Sequence, residues 1–60
     1  MEFDEVAEHM WLGKFVARRG WPDLNRMAYL AQLSNGRVVW RNVELEDMGA
    51  TDWYVWGFIQ

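Results

Sequence analysis

The residues best suited to chemistry are arginines set beside tryptophan. Val16-Ala17-Arg18-Arg19-Gly20-Trp21 ends a short apolar run with two cations, a glycine and an indole. An indole face stacks on a nucleobase, and guanidinium forks grip phosphate through two parallel hydrogen bonds. Arg18 and Arg19 are therefore candidates for phosphate and Trp21 for a base. Arg37 and Trp40 join them, from the clustering of positive charge and the place of a hairpin. Trp11 and Trp53 read instead as core residues. The acids Glu44, Glu46, Asp47 and Asp52 could pair for acid–base work. The simpler role for Asp47 and Asp52 is to hydrogen-bond backbone or arginine near a second helix.

Other chemistry is sparse. There is no glycine-rich phosphate loop, nucleophile elbow or metal-ligand pair at helical spacing. Ser34 sits beside Asn35-Gly36 as a turn residue. His9 is the only histidine and there is no cysteine, so disulfides and thiolate or histidine-cluster metal sites are excluded. The expectation is a protein without cofactor, metal or catalysis.

All six cations lie between residues 14 and 41 with one acid, Asp23, a local balance of +5 inside a chain of net charge −3. An acidic whole argues against general nucleic-acid binding. A basic middle can still hold a small anion. No apolar run approaches the roughly 18 residues a membrane span needs. The acidic start Met1-Glu2-Phe3-Asp4-Glu5 lacks a signal peptide's basic opening. A cytoplasmic protein with no membrane partner is expected.

Sixty residues make a single domain, 1–60. Such a chain is marginal alone and needs dense aromatic packing, association, or both. Residues 3–12 read as a helix capped by Asp4 and ended by Gly13, with Phe3, Val6, Ala7, Met10 and Trp11 on one face. Glu5, Glu8, His9 and Leu12 take the other face. Lys14 to Arg19 is a first strand, which would put Arg18 and Trp21 on opposite faces. Trp21 to Asn25 is a loop. Arg26 to Leu33 and Arg37 to Arg41 form a hairpin about Asn35-Gly36. Asn42 caps a short helix, 43–48, with Leu45 and Met48 as its apolar edge. Residues 52–59 form a last strand, with Trp53, Val55 and Ile59 on one side and Tyr54, Trp56 and Phe58 on the other. A strand apolar on both sides needs cover on both, which points to a homo-oligomer, dimer or tetramer. The fold class is α+β: an N-terminal helix on a small antiparallel sheet of three to four strands, with a second short helix before the last strand. A miniature all-β barrel is the alternative.

The order Phe3…Val6-Ala7, Gly13, Val16-Ala17-Arg18-Arg19-Gly20-Trp21, Tyr29-Leu30, Asn35-Gly36, Asp47-Met48-Gly49-Ala50-Thr51-Asp52-Trp53 resembles the second family of phage anti-Thoeris proteins, which includes a type II anti-CRISPR relative. Its pattern is V-A-R-x-G-W, then D-x-x-A-x-D-W. The resemblance spans roughly residues 3 to 56. It departs in the short connection after Gly20-Trp21, in Glu44 and Glu46 where small polar residues are usual, and in the terminal Trp56-Gly57-Phe58-Ile59-Gln60. It implies a non-catalytic sponge that sequesters a cyclic ADP-ribose-type or cyclic nucleotide signal between subunits in the host cytoplasm. By the same resemblance Trp21 stacks a base and Arg18 pairs with phosphate or with Asp52. Phe3 walls the pocket, and Asp47 and Asp52 meet ribose hydroxyls or make structural hydrogen bonds. The alternative is a small acidic inhibitor that binds a host protein directly, supported by Glu5, Glu8, Glu44 and Glu46.

Overall fold

The computed structural model describes residues 1–58 and is an α+β fold. Helix α1 (Phe3–Trp11) leads into strand β1 (Lys14–Arg18), followed by β2 (Tyr29–Gln32), β3 (Val38–Arg41), a 3₁₀ turn (Leu45–Gly49) and β4 (Trp53–Phe58). The strands form two antiparallel ribbons, β1 with β4 and β2 with β3. Val16 and Ala28 stitch the ribbons together by exchanging backbone hydrogen bonds of 2.9 and 2.7 Å. The second ribbon is thus a hairpin hung on the first at one point.

Apolar spacing explains α1. Val6 and Met10, four apart, are fully buried, with Phe3 and Ala7 half-buried beside them. Glu2, and not Asp4, precedes the first helical residue, and no side chain caps the helix. Asp4 and Glu5 still lie in the first turn, where negative charge suits the dipole. Gly13 (φ +85°) turns the chain from α1 into β1, a conformation an L side chain resists. Trp11, expected in the core, is 62% exposed. It sits at the last turn, where its ring meets Trp40 edge-on, 6.2 Å between centroids.

The hairpin follows its turn chemistry. Gly36 takes φ +85°, Asn35 Oδ1 accepts from the Arg37 N–H at 3.0 Å, and the Leu33 N–H bonds the Arg37 carbonyl at 2.7 Å. Its strands are shorter than the apolar pattern suggests. Residues 26–28 do not belong to β2, because Arg26 bonds back to the Asp23 carbonyl and only Ala28 reaches β1.

The expected short helix before the last strand is present as a 3₁₀ turn, with bounds shifted to Leu45–Gly49, and Glu44 with Asp47 forms its capping box. Asn42, expected as the cap, lies in the left-handed region (φ 65°) and donates to the Met27 carbonyl at 2.9 Å. Along β4, Phe15 faces Gly57 while Val16 faces Val55, so Trp56 is the extra residue of a bulge. The bulge breaks the alternation read for this strand and leaves Trp56 52% exposed. Ile59 and the Phe58 side chain lie outside the described residues. The core is Val6, Met10, Val16, Ala17, Trp21, Ala28 and Trp53, with one charged member, Asp47.

Candidate functional site

The Val16–Trp21 and Asp47–Trp53 motifs meet around Asp47. Strand β1 ends at Arg18, and the Trp21 N–H bonds back to the Arg18 carbonyl at 3.2 Å. That tight turn reverses the chain. It brings Trp21 to the same side as Arg18, where strict alternation would separate them. From the other end, the 3₁₀ turn delivers Asp47, and the entry to β4 delivers Asp52.

Asp47 is 1% exposed and fully satisfied. Its Oδ1 accepts from Arg18 Nη1 at 2.6 Å and from Trp21 Nε1 at 3.1 Å. Its Oδ2 accepts from the Glu44 N–H at 2.9 Å and from Arg26 Nη2 at 3.3 Å. Its carbonyl accepts from Trp53 Nε1 at 3.0 Å. Burial pushes the Asp47 carboxyl up, but the Glu44 N–H, Arg18, Trp21 and Arg26 outweigh it and hold the group below the usual carboxylate range.

Arg18 bridges the two acids. Its Nε donates to Asp52 Oδ1 at 2.7 Å while Nη1 holds Asp47. Hydrogen bonds to Asp52 and then to Asp47 raise the Arg18 pKa. Asp52 is held below its ordinary value, chiefly by Arg18, with the Gly20 N–H adding a bond at 2.8 Å. A Cβ on Gly20 would lie 2.8 Å from Asp52 Oδ2, which is why a residue without a side chain stands here.

Trp21 is 6% exposed. Its ring meets the edge of Trp53 at 5.3 Å, and the Arg26 guanidinium lies over it at 3.9 Å from the centroid. The expected base-stacking face is thus already covered by an arginine.

Beside this cluster lies a depression of about 160 Å³, lined by Ala17, Arg18, Arg19, Trp21, Asp23, Leu24, Arg26 and Tyr54. Arg19 is exposed and lies over the Tyr54 ring at 4.8 Å. The other expected site residues lie elsewhere. Phe3 packs on Trp40 and Trp53, each at 5.6 Å, and lines a separate depression of about 190 Å³ with Glu2, Asp4, Met48, Gly49, Ala50 and Thr51. Trp40 sits against α1 through Phe3 and Trp11. Arg37 is exposed at the hairpin turn. So Arg18, Trp21, Asp47 and Asp52 come together, Arg19 borders them, and Phe3, Trp40 and Arg37 do not join them within one chain.

Arg26 and Tyr54 were not singled out by sequence reasoning. Arg26 follows Trp21 by five residues through an irregular loop, and no periodicity marks it. Tyr54 is one of several aromatics along β4. Among the described residues no three potential metal-ligating side chains converge, and no helix is long and apolar enough to cross a membrane. A scan against protein-family models, a search of curated proteins and a search of solved structures each give no match.

Proposed function

We propose that the chain is a non-catalytic sponge of the anti-Thoeris kind, holding a small cyclic nucleotide or cyclic ADP-ribose-type signal in the cytoplasm of a phage-infected host. The observation that carries this reading is the depression walled by Arg18, Arg19 and Arg26 beside two aromatic rings. Arg18 is occupied by Asp47 and Asp52, so its part is to fix the wall. Arg19 and Arg26 supply donors to phosphate. At about 160 Å³ the depression is smaller than the roughly 300–1,000 Å³ of ordinary ligand pockets. One subunit therefore offers a partial site, and a second copy completes it. The exposed Trp56 on β4 offers an apolar surface for that association.

The test is calorimetry and thermal shift with cyclic dinucleotides, cyclic trinucleotides and cyclic ADP-ribose isomers, alongside sedimentation at micromolar concentration. One member of the panel binds more tightly than about 10 μM, roughly −7 kcal/mol, and returns unchanged after the protein is heat-denatured. A panel with no binder overturns the sponge reading. A cleaved ligand overturns its non-catalytic part.

A second reading rests on a different surface. The exposed acids Glu2, Asp4, Glu5 and Glu8 of α1 and its N-terminal flank run toward exposed Trp11 and Leu12, which suits an inhibitor docking on a basic host protein. Pulldown with mass spectrometry separates the readings: a stoichiometric host protein favours the inhibitor.

A further inference from the structure

The depression carries two arginines in the same unusual setting. Arg26 lies over Trp21 at 3.9 Å and Arg19 over Tyr54 at 4.8 Å. All four residues line the same 160 Å³ depression, with the exposed Leu24 beside them. A guanidinium backed by an aromatic ring is held in place by it and is poorly hydrated on its flat side. Its remaining flat side can stack on a planar ligand while its edge still donates hydrogen bonds.

Charge alone does not explain the arrangement. Arg18, Arg19 and Arg26 are matched in number by Asp47, Asp52 and the lining acid Asp23. A site whose ionised groups cancel has no large field with which to gather a bare anion. Its distinguishing surfaces are the flat guanidinium faces. A purely structural role for Arg26, closing the core over Trp21, leaves Arg19 on Tyr54 unexplained, since Tyr54 is only half-buried and Arg19 is exposed.

We infer that the depression selects a flat heteroaromatic ring carrying phosphate, stacked on the Arg19 and Arg26 guanidiniums, with Tyr54 and Trp21 as their backing plates. This rests on the nucleotide-binding reading above and changes its detail. Trp21 does not touch the base but positions the arginine that does.

The test compares ADP with pyrophosphate, which has the phosphates without the ring, by calorimetry on the full chain. ADP binds at least tenfold more tightly than pyrophosphate. Arg19→Lys keeps the charge and loses the plane, so it lowers ADP affinity by a larger factor than pyrophosphate affinity and cuts the ADP preference severalfold. Tyr54→Leu, which removes the backing ring, does the same. Circular dichroism confirms that both variants fold, and neither residue belongs to the Asp47 cluster. Arg26→Lys serves as the second plate's variant where it folds. Equal affinity for ADP and pyrophosphate overturns the inference, as does an ADP preference that survives both Arg19→Lys and Tyr54→Leu. Failure to bind ADP also overturns it, whatever the cyclic panel shows. The sponge reading falls separately, on the absence of any panel binder.

Discussion

Replacing Asp47 with alanine removes the acceptor shared by four donors: Arg18 Nη1, Trp21 Nε1, Arg26 Nη2 and the Glu44 N–H. Breaking a buried ion pair by removing one partner costs about 3–5 kcal/mol, most of it from the charge left behind. Here Arg18 keeps Asp52, Arg26 keeps the Asn42 carbonyl, and their side chains are 22% and 29% exposed, so part of the loss is recovered. The Trp21 and Glu44 donors add about 1–3 kcal/mol each where water cannot reach them. A net loss of about 3–4 kcal/mol follows for Asp47→Ala. A domain this small holds only about 3–5 kcal/mol in total, so the variant should be left near the edge of stability at 25 °C. Asp47→Asn retains shape and one acceptor oxygen and should lose about 2 kcal/mol, within the range of a broken buried polar contact. Urea titration followed by tryptophan fluorescence measures both at one fixed protein concentration, because association would also shift the midpoint. With a slope near 1 kcal/mol/M, the low end for small proteins, the asparagine variant's midpoint falls by about 2 M. An alanine variant within about 0.5 kcal/mol of the parent, the range of neutral surface changes, would refute the view that this carboxylate organises the fold.

Acid should act through the same groups. Asp47 and Asp52 both sit below their ordinary values when folded, so the unfolded chain takes up their protons first. Their contribution is complete above the ordinary carboxylate value of about 4 and is lost as pH falls through the lower folded values. The urea midpoint should therefore hold between pH 7 and 5 and drop by pH 3, and an unchanged midpoint at pH 3 would contradict this. Gly20→Ala places a Cβ 2.8 Å from Asp52 Oδ2 and should cost about 1–2 kcal/mol, an ordinary destabilisation. The cost should shrink in an Asp52→Ala background, and equal cost in both backgrounds would show that this contact is not its cause.

Much of the fold is legible because it is local. The i, i+4 pairing of Val6 with Met10, Gly13 after the helix and Asn35-Gly36 in the hairpin each act over a few residues, and all three appear where their chemistry puts them. The register of β1 on β4 is not local. Its bulge at Trp56 is set by how two distant strands fit. The cluster is legible only in part: Arg18, Trp21, Asp47 and Asp52 meet, while Phe3, Arg37 and Trp40 lie elsewhere and nothing in the sequence marks Arg26. Alternation puts Arg18 and Trp21 on opposite faces even with a tight turn expected after the strand, because the sequence does not show that the turn starts at Arg18 and carries Trp21 back to the same side. Trp11 and Trp21 show the same limit. Each has a residue type that suits either core or surface, and only the meeting of Trp21 with Trp53, Arg26 and Asp47 decides which is buried.

The separation of charge along the chain has a structural use. Basic residues 14–41 and the acidic segment after them are apart in sequence, yet Asp47 and Asp52 come from the acidic side and close onto Arg18 and Arg26 from the basic side. In a cysteine-free chain of 60 residues this cluster ties the end of β1, the loop at Arg26, the 3₁₀ turn and the start of β4. It does the work of a long-range staple with hydrogen bonds and indoles. The same closure sets the wall of the depression, since Arg26 is held over Trp21 by Asp47 and by the Asn42 carbonyl at 2.9 Å. Stability and binding are therefore coupled at Arg18, Asp47 and Arg26, where a loss of affinity would say little about contact with a ligand. They separate best at Arg19, which is exposed and borders the depression without joining the cluster, whereas Tyr54 also packs against the core. Arg19 is where a binding function can be measured apart from the fold.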